Sequence, residues 1–496
     1  METAGGFVMV APALKAKSVL KIQQKKTPPF KYTTVSIQEI VEKDYRMEAS
    51  VFGIEGRQAR KDIENCKFPV TYLCGNSGLA TSYHRLRFKR VYVEKSDYPI
   101  YQPAQVNELY PKPSAYISDL TQTDIDALRV KKGQILLTCS GTIGNCTYVR
   151  DTLESQIFSH DLIRIEPKEY NGYIYTYLKS KLGFAIINTN NYGAVVSHIE
   201  PAHLNNIPIP NPPPILKQEV HNLIEESFRL RDESNELMDE AQSLLKQAFH
   251  LPDIEVLQEK AKQFDKKAGL LNYSVPLSEL NNRLDGSYHV PIVIAIEKHF
   301  EKHAKEVTTI SDSRVSQSVI LPGRFKRIYV EEGSGITFFG GKQIFELDPS
   351  NKKYLSSSLH GDRINDELKI HTDTTLITRS GTIGKVTIVP EHWDNWLPNE
   401  HIIRVVPANK NIAGYLYAWL SSDYAYNLIT RHTYGAVVDE ISDKQVSEIK
   451  IPLCHDEDIQ EQINANVLDA NKKRAKAYKL EQEALSVLNE KVIYAQ

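Results

Sequence analysis

The 496-residue chain has no apolar run approaching the roughly 18 residues that a membrane helix requires. It also lacks an excess of charge of either sign. Sixty Lys and Arg stand against 62 Asp and Glu, a formal net charge of −2. That balance argues against coating nucleic acid by charge alone, while leaving room for local basic patches. Cysteine is scarce. The five, Cys66, Cys74, Cys139, Cys146 and Cys454, form no CxxC pair and no Cys/His set at zinc spacing. No metal site is expected from them, and the chain fits a reducing cytoplasm. A short apolar patch at Phe7 to Leu14 is followed by lysines rather than preceded by them, the wrong order for a secretory signal. Residues 1–33 read as an N-terminal arm.

What the chain does have is itself, twice. "LLTCSGTIGNCTYV" (Leu136 to Val149) returns as "LITRSGTIGKVTIV" (Leu376 to Val389), and "RLRFKRVYVE" (Arg85 to Glu94) as "PGRFKRIYVE" (Pro322 to Glu331). "YGAVVSHIEPAHLNNIPIP" (Tyr192 to Pro210) returns as "YGAVVDEISDKQVSEIKIP" (Tyr434 to Pro452). "YRMEASVF", "SHDLIRIEP" and "NGYIYTYLKS" have counterparts in the same order, "NRLDGSYH", "NEHIIRVVP" and "AGYLYAWLSS". A period this long marks a duplicated domain rather than a solenoid.

Between the copies, Ile215 to Phe249 contains no Gly or Pro and spaces apolar residues by threes and fours: Leu216, Val220, Leu223, Leu230, Leu237, Ala241, Leu244 and Ala248. This predicts a long amphipathic helix, about 50 Å at about 1.5 Å per residue. Asp456 to Ile493 repeats the pattern with Ile459, Ile463, Val467, Ala470, Ala477, Ala484, Leu488 and Val492. Neither helix can cover its stripe alone, so an antiparallel pair is expected, with the domains at opposite ends about a pseudo-twofold axis. Within a copy, β-rich runs such as "KRVYV", "QILLT" and "CTYVR" precede "NGYIYTYLKSKLGFAII", which reads as a helix packed on them. The expected fold class is α+β. The expected domains are an arm (1–33), a first recognition domain (34–213), a first helix and linker (214–265), a second recognition domain (266–454) and a second helix (455–496).

In "SGTIG", Gly141 and Gly144, and Gly381 and Gly384 in the second copy, permit the positive φ of a tight strand-to-strand turn. The turn either simply closes a hairpin or presents backbone N–H groups and the hydroxyls of Ser140, Thr142, Ser380 and Thr382 to a phosphate. It is not a nucleotide-binding loop, because the GxxxxGK[ST] spacing is absent and a strand follows instead of a helix.

Two copies with "SGTIG", "YGAVV" and a closing "IPIP" or "IKIP", each followed by a long helix, resemble the specificity (S) subunit of type I restriction–modification systems and the related type IIB subunits. The resemblance covers roughly residues 34–496. It implies two target-recognition domains on an antiparallel spacer, reading a bipartite sequence in double-stranded DNA. The implied partners are N6-adenine methyltransferase subunits, with or without a translocating restriction subunit. It further implies a non-catalytic chain without cofactor or membrane contact.

Local charge agrees. Arg85, Arg87, Lys89 and Arg90 in one copy, and Arg324, Lys326 and Arg327 in the other, are candidate phosphate contacts, unless they are only the solvated edge of a strand. Base-reading residues should differ between copies, which directs attention to the divergent loops and to Gln102, Gln105, Asn107, Lys342 and Gln343.

Rival chemistry is weaker. "NPPP" (Asn211 to Pro214) is similar to the Asn-Pro-Pro-aromatic motif of amino-methyltransferases, but Pro214 removes the stacking ring, and the motif reads as a stop before the helix. "ELK" (Glu367 to Lys369) and "EIK" (Glu448 to Lys450) lack the Pro-Asp of metal-dependent nucleases. His198 and His203 meet Glu440 and Gln445 in the second copy, which speaks against a shared metal site. The alternative reading is a non-catalytic scaffold with two peptide- or protein-binding domains on a helical spacer.

Overall fold

The structure is a computed structural model, which describes residues 32–42, 45–113, 115–189, 192, 197–262, 273–435 and 438–495. It forms two compact units. The first, Met1–Glu48, contains the short helix Ile37–Glu42; most of the expected arm lies outside the described residues. The second, Ala49–Gln496, holds both repeated domains and both long helices, and everything below concerns it. No helix among the described residues is long and apolar enough to cross a membrane.

Each copy is built on a four-stranded antiparallel sheet. In the first copy the order is Ala80–Tyr83, Leu162–Pro167, Ile135–Thr138, Cys146–Tyr148; in the second it is Ser316–Ile320, Ile402–Pro407, Thr375–Thr378, Val386–Ile388. The register repeats as well: Ile135 faces Ile165, and Thr375 faces Val405. A second four-stranded sheet, with one parallel pair, stands beside each (Ile100 on Ile157, Phe338 on Leu397). The closing "IPIP" and "IKIP" become strands Pro208–Pro210 and Lys450–Leu453. They pair with Val70–Tyr72 and Glu306–Thr309 near the start of their own domains. The end of each domain is thereby tied to its beginning.

Three local expectations need correction. Of "KRVYV", only Tyr92–Val93 is a strand; the basic residues before it lie outside any sheet. The segment expected as one helix is two, Asn171–Lys179 and Lys181–Asn188, broken at Ser180, whose hydroxyl accepts from the Gly183 N–H. Ser422 does the same between Lys410–Leu420 and Asp423–Thr430. A side-chain oxygen at that position satisfies the new helix's free N–H and so favours restarting over continuing. The third concerns the stripe on the first long helix.

That helix runs Pro214–Ala248, begun by Pro214 at a position where a missing N–H costs nothing. Its buried face includes Val220, Ile224, Ser227, Ser234, Met238, Ala241 and Leu245, whereas Leu216, Leu223, Leu237 and Leu244 are only half-buried. The second long helix, Glu457–Val487, is capped by Asp456 and continues as a wider turn over Leu488–Ile493. It buries Ile463, Val467, Ala470, Ala477, Glu481 and Ala484, each 243 positions after a buried residue of the first, and also Arg474, whose counterpart Arg231 is half-buried. Steps of three and four on both helices make a heptad seam. They run antiparallel: Lys491 pairs with Glu219 at 2.7 Å near one end, Ser227 Oγ donates to Ala477 O at 2.8 Å, and Lys473 pairs with Glu233 at 2.7 Å. The seam is small and polar in its middle, so hydrophobicity alone finds Val220, Leu230 and Ala241 on the first helix but misses Ser227 and Ser234.

The ends of the seam belong to the domains. The first domain's core takes in Val220, Ile224 and Phe228 from its own helix, together with Ala484, Val487, Leu488, Val492 and Ile493 from the far end of the other. The second takes Ile463, Val467 and Ala470 from its own helix and Met238, Ala241, Leu245 and Phe249 from the first. The domains therefore sit at opposite ends of the pair. Glycine makes the docking close: a Cβ on Gly172 would lie 2.8 Å from His221 O, and one on Gly414 2.3 Å from Asn464 O. The two glycine N–H groups donate to His221 Nδ1 (3.1 Å) and Asn464 Oδ1 (2.8 Å).

Candidate nucleic-acid interface

Successive side chains of an extended segment point to opposite sides, and this sorts the basic runs. In "RFKR", Arg87 and Lys89 are exposed while Phe88 and Arg90 turn inward; Arg324 and Lys326 are exposed while Phe325 and Arg327 turn inward. Phe88 stands edge-on to His160, with ring centres 5.1 Å apart, and Phe325 to His360 at 5.4 Å. The inward arginines are anchored. Arg90 donates to Asp161 (2.7 Å) and Ser159 (2.8 Å), and Arg327 pairs with Glu400.

The anchoring acid sits one place earlier in the second copy, where His401 occupies the position of Asp161 and Glu400 that of His160. Arg327 reaches an acid all the same. Burial works against the charge of Arg90, but its hydrogen bonds to Tyr92 and Asp161 raise its pKa. Burial likewise opposes the Asp161 carboxylate, and Arg90 and His160 hold its pKa below the ordinary range. His160 and His84 are both pushed down, chiefly by burial.

No hydrogen bond or ion pair to Arg87, Lys89 or Lys326 occurs among the described residues, whereas Arg324 reaches Glu440 at 3.2 Å with its side chain still 70% exposed. Arg85 lies with its guanidinium 5.0 Å from the centre of the Tyr83 ring.

The repeated turn is a hairpin tip: Gly141, Gly144, Gly381 and Gly384 all have positive φ, at 72°, 95°, 77° and 77°. Thr142 and Thr382 are exposed at the tip, and Ser140 and Ser380 stand half-buried beside them. Each tip is flanked by the described part of "YGAVV" and the residues after it. Ser140 bridges His198, which also bridges Tyr192; Ser380 bridges Glu440, which also bridges Tyr434. Arg379 binds Glu440 at 2.6 Å, and the Ser380 hydroxyl is hydrogen-bonded to His401 Nδ1 at 2.8 Å. Tyr192 donates to Glu200 at 2.6 Å, which lowers the glutamate's pKa. Basic segment, turn tip and tyrosine hairpin, far apart in sequence, thus form one surface in each copy. Tyr192, Tyr434, His160 and His401 belong to it. Their signal was the repetition of the blocks that carry them.

The loop glutamines are placed elsewhere. Gln105 accepts from the Gln102 N–H (2.8 Å) and donates to Lys112 O; Gln343 accepts from the Gly340 N–H (2.8 Å) and donates to Ser350 O. Both amides thus brace their own loops, in the same way in both copies, next to the middle of the helix pair. Gln102 and Asn107 are half-buried around the first loop, and Lys342 is exposed on the second. Asn211 of "NPPP" accepts from Lys217 at 2.9 Å.

The model of the type I restriction modification DNA specificity domain matches this chain twice, over residues 82–226 and 344–482, together more than half of it. The chain belongs to that family. Its two specificity domains are of the kind that recognises DNA sequence. Among curated proteins no sequence relative is detected. Similar solved chains include the S subunit of a type I restriction-modification system from M. genitalium (14% identity over 86% of this chain and 94% of that one, TM-score 0.29). Another comes from a study of complex assembly and conformational transition in the type I system (15%, 83% and 96%, TM-score 0.27). A third is the HsdS subunit of Thermoanaerobacter tengcongensis (14%, 83% and 96%, TM-score 0.25).

Proposed function

We propose that the chain reads a two-part sequence in double-stranded DNA and lends that specificity to N6-adenine methyltransferase subunits, with or without a translocating restriction subunit, in the cytoplasm. The observation that carries this reading is the repetition of one surface. Two specificity domains at opposite ends of a helix pair each present an outward basic pair, an exposed turn tip and a tyrosine hairpin. Recognition domains 34–213 and 266–454, with helical segments 214–265 and 455–496, are the working division. Arg85, Arg87, Lys89, Arg324 and Lys326, with Ser140, Thr142, Ser380 and Thr382, track phosphates and fix register without reading sequence. Arg90 and Arg327 hold those segments in place. Base reading falls to the divergent loops, with Gln102, Asn107 and Lys342 as candidates.

The chain itself transfers no methyl group and cuts no DNA. Purified with its methyltransferase partner, it should direct adenine methylation to one bipartite sequence; alone with S-adenosylmethionine it should methylate nothing. Methyl transfer by the chain alone, or a native partner set without a methyltransferase, overturns the proposal.

A further inference from the structure

The two copies touch each other directly, and they do so through equivalent residues. "QVNEL" (Gln105 to Leu109) and "QIFEL" (Gln343 to Leu347) share the pattern Gln-x-x-Glu-Leu 238 positions apart. In the structure Glu108 lies opposite Glu346 as an antiparallel bridge, and the Leu109 N–H donates to Phe345 O at 2.8 Å. A residue paired with its own counterpart marks the pseudo-twofold axis. Leu347 packs with Leu230 and Ala477 from the centres of the two long helices, and Leu109 joins that cluster. Asn235 on the first helix donates to Leu109 O at 3.3 Å, and Trp393 Nε1 donates to Leu347 O at 3.3 Å. Gln105 and Gln343 brace the two loops from within.

We propose that this clasp, and not helix length alone, fixes the distance between the recognition domains and hence the unread gap in the DNA target. The inference rests on the reading of the chain as a bipartite DNA reader. Its physical basis is the difference in reach between two devices. A helix is a graded ruler, adding about 1.5 Å per residue. A backbone hydrogen bond tolerates only tenths of an ångström around about 2.9 Å, whereas one base pair is about 3.4 Å. With the clasp closed, one gap fits. With it open, the domains are joined only through the helices and an exposed ion pair between Lys181 and Glu332, a weak constraint, and neighbouring gaps become accessible.

The test uses the full chain in complex with its methyltransferase. Cα atoms opposite one another in an antiparallel pair lie about 4.5–5.5 Å apart, within disulfide range, so Glu108→Cys with Glu346→Cys should cross-link on mild oxidation, as read by peptide mapping. Leu109→Asp with Leu347→Asp should open the clasp; the milder Leu109→Ala with Leu347→Ala serves if that variant does not fold. Each complex methylates a library of duplexes in which only the gap between half-sites varies. The expected result is unchanged half-sites, with methylation at gaps one base pair shorter or longer raised about tenfold relative to the wild-type gap, equivalent to about 1.4 kcal/mol. The cross-linked protein should keep the single wild-type gap. Absence of the cross-link shows that there is no clasp, and a cross-link without any change in gap tolerance in the opened variants shows that the clasp does not set the gap. A wild-type complex that methylates no bipartite sequence fails earlier, at the proposed function.

Discussion

Met238 and Glu481 occupy equivalent places on the two long helices and face different surroundings. Met238 enters the apolar core of the second domain. Glu481, almost fully buried against the first, accepts from Tyr175 at 3.1 Å, pairs with Arg231 and stands 3.9 Å from Lys179. Burial would raise its pKa, but Arg231 and Lys179 overcome that and lower it. At this position the pseudo-symmetry is broken by charge.

Removing that acid strands two half-buried cations, Arg231 and Lys179. Glu481→Met should therefore lower unfolding stability by about 3–5 kcal/mol, the usual cost of breaking a buried pair from one side. Lys479→Ala, which removes an exposed pair to Glu391, should stay within about 0.5 kcal/mol. Denaturant midpoints of the two variants compare the effects; equal midpoints would mean the buried cluster contributes nothing.

The close docking of the second domain's helix onto its long helix depends on Gly414. Gly414→Ala sets a methyl against backbone rather than a yielding side chain, so a loss of about 1–3 kcal/mol is expected. Gly172→Ala, with 2.8 Å instead of 2.3 Å to the facing carbonyl, should lose less. Thermal melting of the two single variants gives the ranking.

Acid should act on the junction at Gly172 and leave its counterpart at Gly414 untouched. His221 accepts from the Gly172 N–H through Nδ1, and burial depresses its pKa below the ordinary 6.5. A depressed histidine contributes stability that is complete above about pH 6.5 and is lost as pH falls through the folded-state value. The equivalent Asn464 does not titrate. His221→Asn should consequently be less sensitive than the wild type between pH 6.5 and pH 5, measured as denaturant midpoint against pH.

Alternation along "RFKR" divides the basic residues by task. Arg87→Ala with Lys89→Ala should weaken DNA binding by the assembled complex at every sequence and reduce the slope of log affinity against log salt by about 2, at about 0.9 per phosphate contact. Arg90→Ala, which frees Asp161 and Ser159, should instead disorder the segment. An unchanged salt slope in the Arg87/Lys89 variant would reduce the outward pair to solvated charge.

Much of this architecture was legible beforehand because duplication is visible without knowing what is duplicated. The order of blocks, the two helices and their antiparallel return follow from matched motifs and apolar spacing. The hairpin reading of "SGTIG" was legible from its glycines, and the exposure of Arg87 and Lys89 from their charge. Less legible was what covers each helix. Periodicity says which face avoids water but not that its two ends complete different domain cores, nor that its middle is Ser227, Arg231 and Ser234. The break at Ser180 was hidden because a single serine inside an apolar run costs a helix little unless its side chain caps a new one. The clasp was hidden by brevity: three identities in five residues do not stand out in segments that otherwise diverge.

The shared cores also impose a schedule on synthesis. The first domain has left the ribosome long before Ala484, Val487, Leu488, Val492 and Ile493, which complete its core, have been made. At about 5–20 residues per second, the roughly 240 residues after the first helix take some tens of seconds. During that interval the nascent domain carries an open apolar face, which the second long helix closes when it arrives.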